Sequence, residues 1–119
     1  MPRQRTIIGL GEALLVEQPD RIEPGGLGAL IAIQACRLQQ RGVLITRIGQ
    51  DQPGDDLRRL LQEAGVDIGF LQYDPDLPTG RTIIRPLGPP VERHLEERSS
   101  FDNLQWDFDL EDAAQLADL

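Results

Sequence analysis

The apolar residues of this 119-residue chain recur with two periods, one of strands and one of helices, and the switches between them set out the expected elements. Thr6 to Leu10 (TIIGL) and Ala13 to Glu17 (ALLVE) are short apolar runs bounded by glycine and polar residues, so each predicts a strand, and the breaker-rich QPDRIEPGG after them predicts a loop. Gly25-Gly26-Leu27-Gly28 then opens a helical segment expected to end near Gly42. Its first half, ALIAIQAC, is apolar nearly all round and its polar residues gather at the far end, which places its start near the core. Val43 to Ile48 (VLITRI) predicts the next strand. Leu57, Leu60, Leu61 and Ala64 fall at i, i+3, i+4 and i+7 and predict a helix with one apolar stripe. Pro53 suits its first turn, Asp55 and Asp56 suit its positive end, and Gly65 supplies its stop.

Beyond that helix, Ile68 to Tyr73 (IGFLQY) predicts a strand and DPDLPTG a loop. Arg81 to Arg85 (RTIIR) and Glu92 to Glu97 (ERHLEE) predict a surface hairpin around the breaker LGPP. Leu110, Ala113, Ala114 and Ala117 give a last amphipathic helix behind a capping Asp107 or Asp109, with Phe101, Trp106 and Phe108 expected to pack on it. Strand and helix alternate as in a parallel sheet covered by helices, because each parallel pair needs a crossover. Only about three strands of such a sheet are expected, which leaves an edge of buried type unpaired and one helix face bare.

Composition narrows the functions. The length and the 39% hydrophobic, 27% charged composition fit one soluble domain. The net charge of -8 is concentrated after Arg98, where Asp102, Asp107, Asp109, Glu111, Asp112 and Asp118 meet no base, so neither nucleic acid nor an anionic membrane is an expected partner. All 12 basic residues are arginine, which removes Schiff-base and Walker-type lysine chemistry. Cys36 and His94 are single, so one chain builds no disulfide, Cys-x-x-Cys pair or multi-Cys/His zinc site, and a cytoplasmic setting is expected. Cys36 is expected to fill the core and His94 to face solvent. No run suffices to cross a bilayer, and MPRQRTIIGLGE lacks a signal-peptide core, so the protein is expected to be neither secreted nor anchored.

Three glycine-containing segments carry candidate chemistry. Gly25-Gly26-Leu27-Gly28 at a helix start either brings backbone N–H groups to a ligand hydroxyl or anion, or forms a tight turn against a neighbour. Gly9-Leu10-Gly11 after the first strand lacks the third glycine of a dinucleotide fingerprint, since Leu14 stands there, and Pro19 ends any following helix too early to cover a sheet. In Gly49-Gln50-Asp51-Gln52-Pro53-Gly54 the aspartate caps a helix, serves chemistry, or does both.

In their order these pieces resemble the N-terminal half of the ribokinase-like (PfkB) carbohydrate kinase family. TIIGLGEALLVE is similar to its first strand and G-E-x-L segment, and EPGGLGALIAIQACRLQQRG to its Gly-Gly signature and helix. RIGQDQPGDDLRRLLQEAGVD resembles its R-x-G-x-D-x-x-G segment, and DPDLPTGRTII its P-T-G lid strand. The resemblance implies an α/β, Rossmann-like parallel sheet with flanking helices and a small β lid near residues 13–21 and 80–98. It makes residues 1–119 a single partial domain. The implied activity is ATP-dependent phosphorylation of a sugar hydroxyl, with ATP and Mg as cofactors of a full-length member. The family's G-A-G-D segment, with the catalytic Asp, and its ATP pocket belong to the C-terminal half, so this chain is expected to be a fragment, inactive alone and without catalytic or cofactor-binding residues of its own. Gly25 and Gly26 by backbone, Asp51 as a neighbour and Arg81 from the lid are the substrate-binding residues the resemblance implies. Val16 and Leu30 stand where the family commonly places a sugar-binding Asp and Asn, and an apolar side chain replaces neither. A sugar or sugar-like molecule is therefore one expected partner, and self-association through the lid or open sheet edge is the other. The alternative is a non-catalytic interaction or dimerisation module built on the same half-fold.

Overall fold

The computed structural model describes residues 3–85, 92–95 and 99–118, with residues 85, 92–95, 108 and 109 described by backbone alone. In chain order the elements are β1 (Thr6–Leu10), β2 (Leu14–Glu17), β3 (Ile22–Gly25), α1 (Leu27–Arg37), β4 (Arg41–Ile45), β5 (Arg47–Gly49), α2 (Gln52–Glu63), β6 (Gln72–Asp74), β7 (Arg81–Arg85), β8 (Glu92–Leu95) and α3 (Phe108–Leu116), with a short 3-10 turn at Ser100–Asn103. The expected LGPP breaker and residues 96–98 of the second lid strand lie outside the described residues, as does the side chain of His94.

Alternating side chains on β4 set the layers. Parallel pairing matches Ile8 of β1 with Val43 of β4, and both faces of this pair are covered. Leu44 on one face packs with Ala29, Ala32 and Ile33 of α1. Val43 and Ile45 on the other pack with Leu110 and Ala113 of α3. A strand buried on both faces reads as a continuous apolar run rather than an alternating one, which is the pattern of VLI. The expected strand from Val43 to Ile48 breaks at Thr46, whose Oγ1 donates to the Gly11 carbonyl. The chain resumes as β5, which pairs in parallel with β6.

The α1 backbone lies against the sheet because glycines face it. A Cβ on Gly9 would fall on the Gly28 carbonyl oxygen, and one on Gly42 would fall on that of Ala32. The lid is a second sheet of order β3-β2-β7-β8, with β2 antiparallel to β3 and parallel to β7. The segment read as a loop thus contains a strand. Pro24 is tolerated there because β3 is the edge and Leu15, opposite Pro24, donates its N–H the other way, to Gly80.

Three further expectations are corrected. Strand β6 covers only Gln72–Asp74, because Asp67 Oδ1 accepts from the Gly69 N–H and turns residues 67–69 before a strand can begin. Trp106 does not pack on the last helix but is 69% exposed, and the Phe101 ring lies against Gly80 instead. The side chain of Phe108 lies outside the described residues.

Helix α1 also stops at Arg37, short of Gly42. Gln39 takes φ 61° and closes a Schellman motif, with Gln40 N–H donating to Ala35 and Gln39 N–H to Cys36. Gly65 closes α2 in the same way at φ 86°, with Val66 N–H donating to Leu61 and Gly65 N–H to Gln62. A side chain in this region costs about 1–2 kcal/mol, of which the extra unfolded-state entropy of glycine takes back about 0.5–1 kcal/mol. Gln39→Gly is therefore expected to stabilise the fold by about 0.5–1 kcal/mol, read as a higher urea midpoint at unchanged slope. An unchanged or lower midpoint contradicts this account of the helix end.

Candidate functional site

A cavity of about 390 Å³ opens where the lid meets the start of α1. Its wall follows from strand periodicity. Leu14, Val16 and Gln18 share one face of β2 and its extension, and the parallel register of Val16 with Thr82 brings Thr82 and Ile84 of β7 onto that same face. Gly25 and Gly26 form the floor, Leu30 reaches in from the first turn of α1, and Glu12 and Glu23 stand at the rim.

The glycine pair is required by contacts already made. Gly26 is the N-cap of α1 at φ 91°, and a Cβ there would lie 2.7 Å from the Glu12 carbonyl oxygen. That same carbonyl accepts from Ala29 N–H at 3.2 Å, so the G-E segment and the helix start are one unit. Val16 Cγ2 lies 2.6 Å from where a Gly25 Cβ would stand. The Gly-Gly segment is a tight turn against a neighbour, and the same two residues line the cavity.

Asp51 and Arg81 are not among the residues lining this cavity; both sit in the framework beside it. Asp51 is the N-cap of α2, with Oδ1 accepting from Gly54 N–H at 2.9 Å. It also accepts from Thr79 Oγ1 at 2.6 Å and, through Oδ2, from Thr79 N–H at 3.0 Å. Thr79 in turn accepts from Gly49 N–H at 2.8 Å. This buried clasp fixes the residue that leads into β7. Burial raises the Asp51 pKa, but the Thr79 and Gly54 hydrogen bonds and the Arg81 charge outweigh it and hold the carboxyl below its ordinary 3.8. Arg81 grips Glu17 through two parallel bonds, Nε to Oε1 at 2.9 Å and Nη2 to Oε2 at 2.7 Å, and so pins β7 to β2 at the cavity's outer side.

A second knot joins the sheet to the segment after the lid. Buried Asp74 accepts from the backbone of Leu77 and Asp76, from Asn103 and from Arg47, which together hold it far below the ordinary carboxylate range. Thr79, Thr82, Ile84 and Gln18 escaped the sequence reading as site or framework residues. The period of two on each strand was visible, but the parallel register that joins them is a long-range pairing with no local signal. Among the described residues no three His, Cys, Asp or Glu side chains converge to hold a metal ion, and no helix is long and apolar enough to cross a membrane.

The fold and cavity define a class: an α/β layer whose glycine-rich helix start faces a β lid. Residues 10–93 match the model of the pfkB family carbohydrate kinases, and this chain belongs to that family. Two curated relatives match at 36% identity over 61 residues, the aminoimidazole riboside kinase of Salmonella typhimurium, and at 32% over 74 residues, the ribokinase of Staphylococcus aureus. These matches take in 51% and 62% of this chain but only 19% and 24% of the relatives. The solved fructokinase from Xylella fastidiosa with bound ATP superposes with a TM-score of 0.79 at 23% identity, over 94% of this chain and 36% of that one.

The framework predicts acid sensitivity. Asp51, Asp67 and Asp74 all have depressed folded values, so below about pH 4 the unfolded chain binds more protons than the folded one. Stability is therefore complete above that pH and falls as the pH drops through the folded values. Asp51→Ala is expected to destabilise the fold at pH 7 by about 0.5–2 kcal/mol, as for a lost helix cap, read as a lower urea midpoint, and to flatten the acid limb between pH 5 and 3. An acid limb of undiminished slope in the variant contradicts the clasp as its source.

Proposed function

We propose that this chain supplies the sugar-facing and lid portion of an ATP-dependent carbohydrate kinase, and that the 119 residues alone transfer no phosphoryl group. The cavity between Gly25-Gly26 and β7 carries this reading, because it sits where an extended strand, a glycine-rich helix start and a lid converge on one small volume. Names among the relatives and neighbours support a sugar or riboside as the ligand class.

In this reading the Gly25 and Gly26 backbone approaches the sugar, unobstructed by side chains. Asp51 holds Thr79 and hence the root of β7, and Arg81 with Glu17 holds β7 beside β2, so both act on the ligand by positioning the lid. ATP and Mg are cofactors the family implies, and the residues described here do not gather a site for the metal. Phosphoryl transfer needs a base for the attacking hydroxyl and donors for the transferring charge; none of the site residues argued above has either role.

Val16 and Leu30 give the second reading its support. Both line the cavity and offer nothing to a hydroxyl, which favours a non-catalytic module that has kept the half-fold for association. The two readings part on binding and on mass. The first expects weak sugar binding by the wild-type chain and a gain in Val16→Asp/Leu30→Asn, since each restored hydrogen bond is worth about 1 kcal/mol and two give about thirtyfold in affinity. The second expects no gain and a concentration-dependent dimer in sedimentation. Calorimetric titration with ribose and fructose checks the gain, and ATP-dependent sugar phosphorylation by the purified 119-residue chain contradicts the first reading.

A further inference from the structure

The cavity beside the lid is walled by carbon where a fully hydroxylated sugar needs hydrogen-bond partners. Leu14 and Val16 of β2, Ile84 of β7 and Leu30 of α1 all line it. Val16 stands in the middle of the sheet side. Its partners across the strands are Glu23 on β3 and Thr82 on β7, and residues so paired share a face. Val16 also closes on the floor, because its Cγ2 lies 2.6 Å from where a Gly25 Cβ would stand. The wall is therefore packed at this point, with no gap left by a missing polar group. Leu30 comes from the helix side and is 45% exposed, so it meets whatever enters.

The polar groups of the cavity are fewer, and one is already committed. Glu23 accepts from Arg21 Nε at 2.8 Å and from Gln18 Nε2 at 3.4 Å. The Glu12 carboxylate, the Thr82 hydroxyl and the Gly25–Gly26 backbone are left to meet a ligand's hydroxyls. A hydroxyl turned toward Val16 or Leu30 gives up its water and gains no partner, whereas a CH2 in the same place is favoured by burial.

We propose that Val16 and Leu30 make this cavity selective for a deoxygenated sugar, one that carries hydrogen in place of hydroxyl on the edge these two side chains cover. The inference deepens the sugar-facing reading above and rests on it. Hydroxyls on the remaining edge meet Thr82, Glu12 and the glycine backbone, which keeps the ligand a sugar rather than a hydrocarbon. The two apolar residues then set specificity, by penalising the hydroxylated competitor.

Amide-resolved NMR titration of the full chain with ribose, 2-deoxyribose and 3-deoxyribose tests the selectivity. At least one deoxy form is expected to bind about tenfold more tightly than ribose, the ratio set by one hydroxyl stranded without a partner. The shifts are expected to centre on Val16, Gly25, Leu30 and Thr82. Val16→Thr keeps the branched shape and adds a hydroxyl, so it narrows the ratio, and Val16→Asp/Leu30→Asn reverses it. Ribose binding at least as tightly as both deoxy forms overturns the proposal and leaves the sugar-facing reading in place. So does a ratio that neither variant changes, or a set of shifts centred instead on the apolar groove lined by Ile7, Ile31 and Leu38. No shift with any of the three sugars in a folded chain overturns the proposal and that reading together.

Discussion

Close approach of the α1 backbone to the sheet is the constraint on which the rest of this structure depends. Gly9 and Gly28 touch where side chains would collide, and Gly42 meets the Ala32 carbonyl in the same way. With the helix held this near, its first turn bonds the Glu12 carbonyl, and the preceding residues have to turn through Gly26 at positive φ. The Gly-Gly floor of the cavity is thus a consequence of helix–sheet packing. A larger residue at any of these contacts would push α1 outward and open the cavity before it altered any group that meets a ligand.

The lid is tied to this layer by Leu15 and Ile22, which pack on the main core, and by polar contacts. Asp51 joins the α2 N-terminus to Thr79, Arg81 joins β7 to β2 through Glu17, and Asp74 joins β6, Arg47 and Asn103. Charged hydrogen bonds are directional, so they fix where β7 leaves the sheet and hence where Thr82 and Ile84 face the cavity. The family resemblance nominates Asp51 as a neighbour of the ligand and Arg81 as a contact reaching from the lid. In the folded chain their charges are spent on each other's neighbourhood, which makes them parts of the frame.

Much of this was legible beforehand where the signal is local. Helix α2 announced itself through Asp51, Pro53, the leucine stripe and Gly65, and each has the role its chemistry suggested. The parallel layering followed from strand and helix alternation, and the family resemblance from motifs in order. What escaped depends on partners distant in sequence. The end of α1 was missed because Gln39, not glycine, takes the left-handed position. Strand β3 was missed because Pro24 reads as a breaker unless its pairing with Leu15 is known. The bare face expected from a sheet of few strands is on α1, where Gly28, Ala29 and Ala32 are buried while Leu27, Ile31 and Leu38 are exposed, although periodicity alone does not say which apolar side stays uncovered.

Val16 and Leu30 concentrate the functional question. They sit on the cavity wall with their side chains among Leu14, Pro24 and Ile84, so the site keeps its shape while offering hydroxyls little beyond backbone. The most direct measurement is an amide-resolved NMR titration of the wild-type chain with fructose. A cavity that is the ligand site predicts shifts confined to Gly25, Gly26 and Thr82 and their neighbours, even at weak affinity. Shifts confined to the groove beside Leu38, or none in a folded chain, would contradict it.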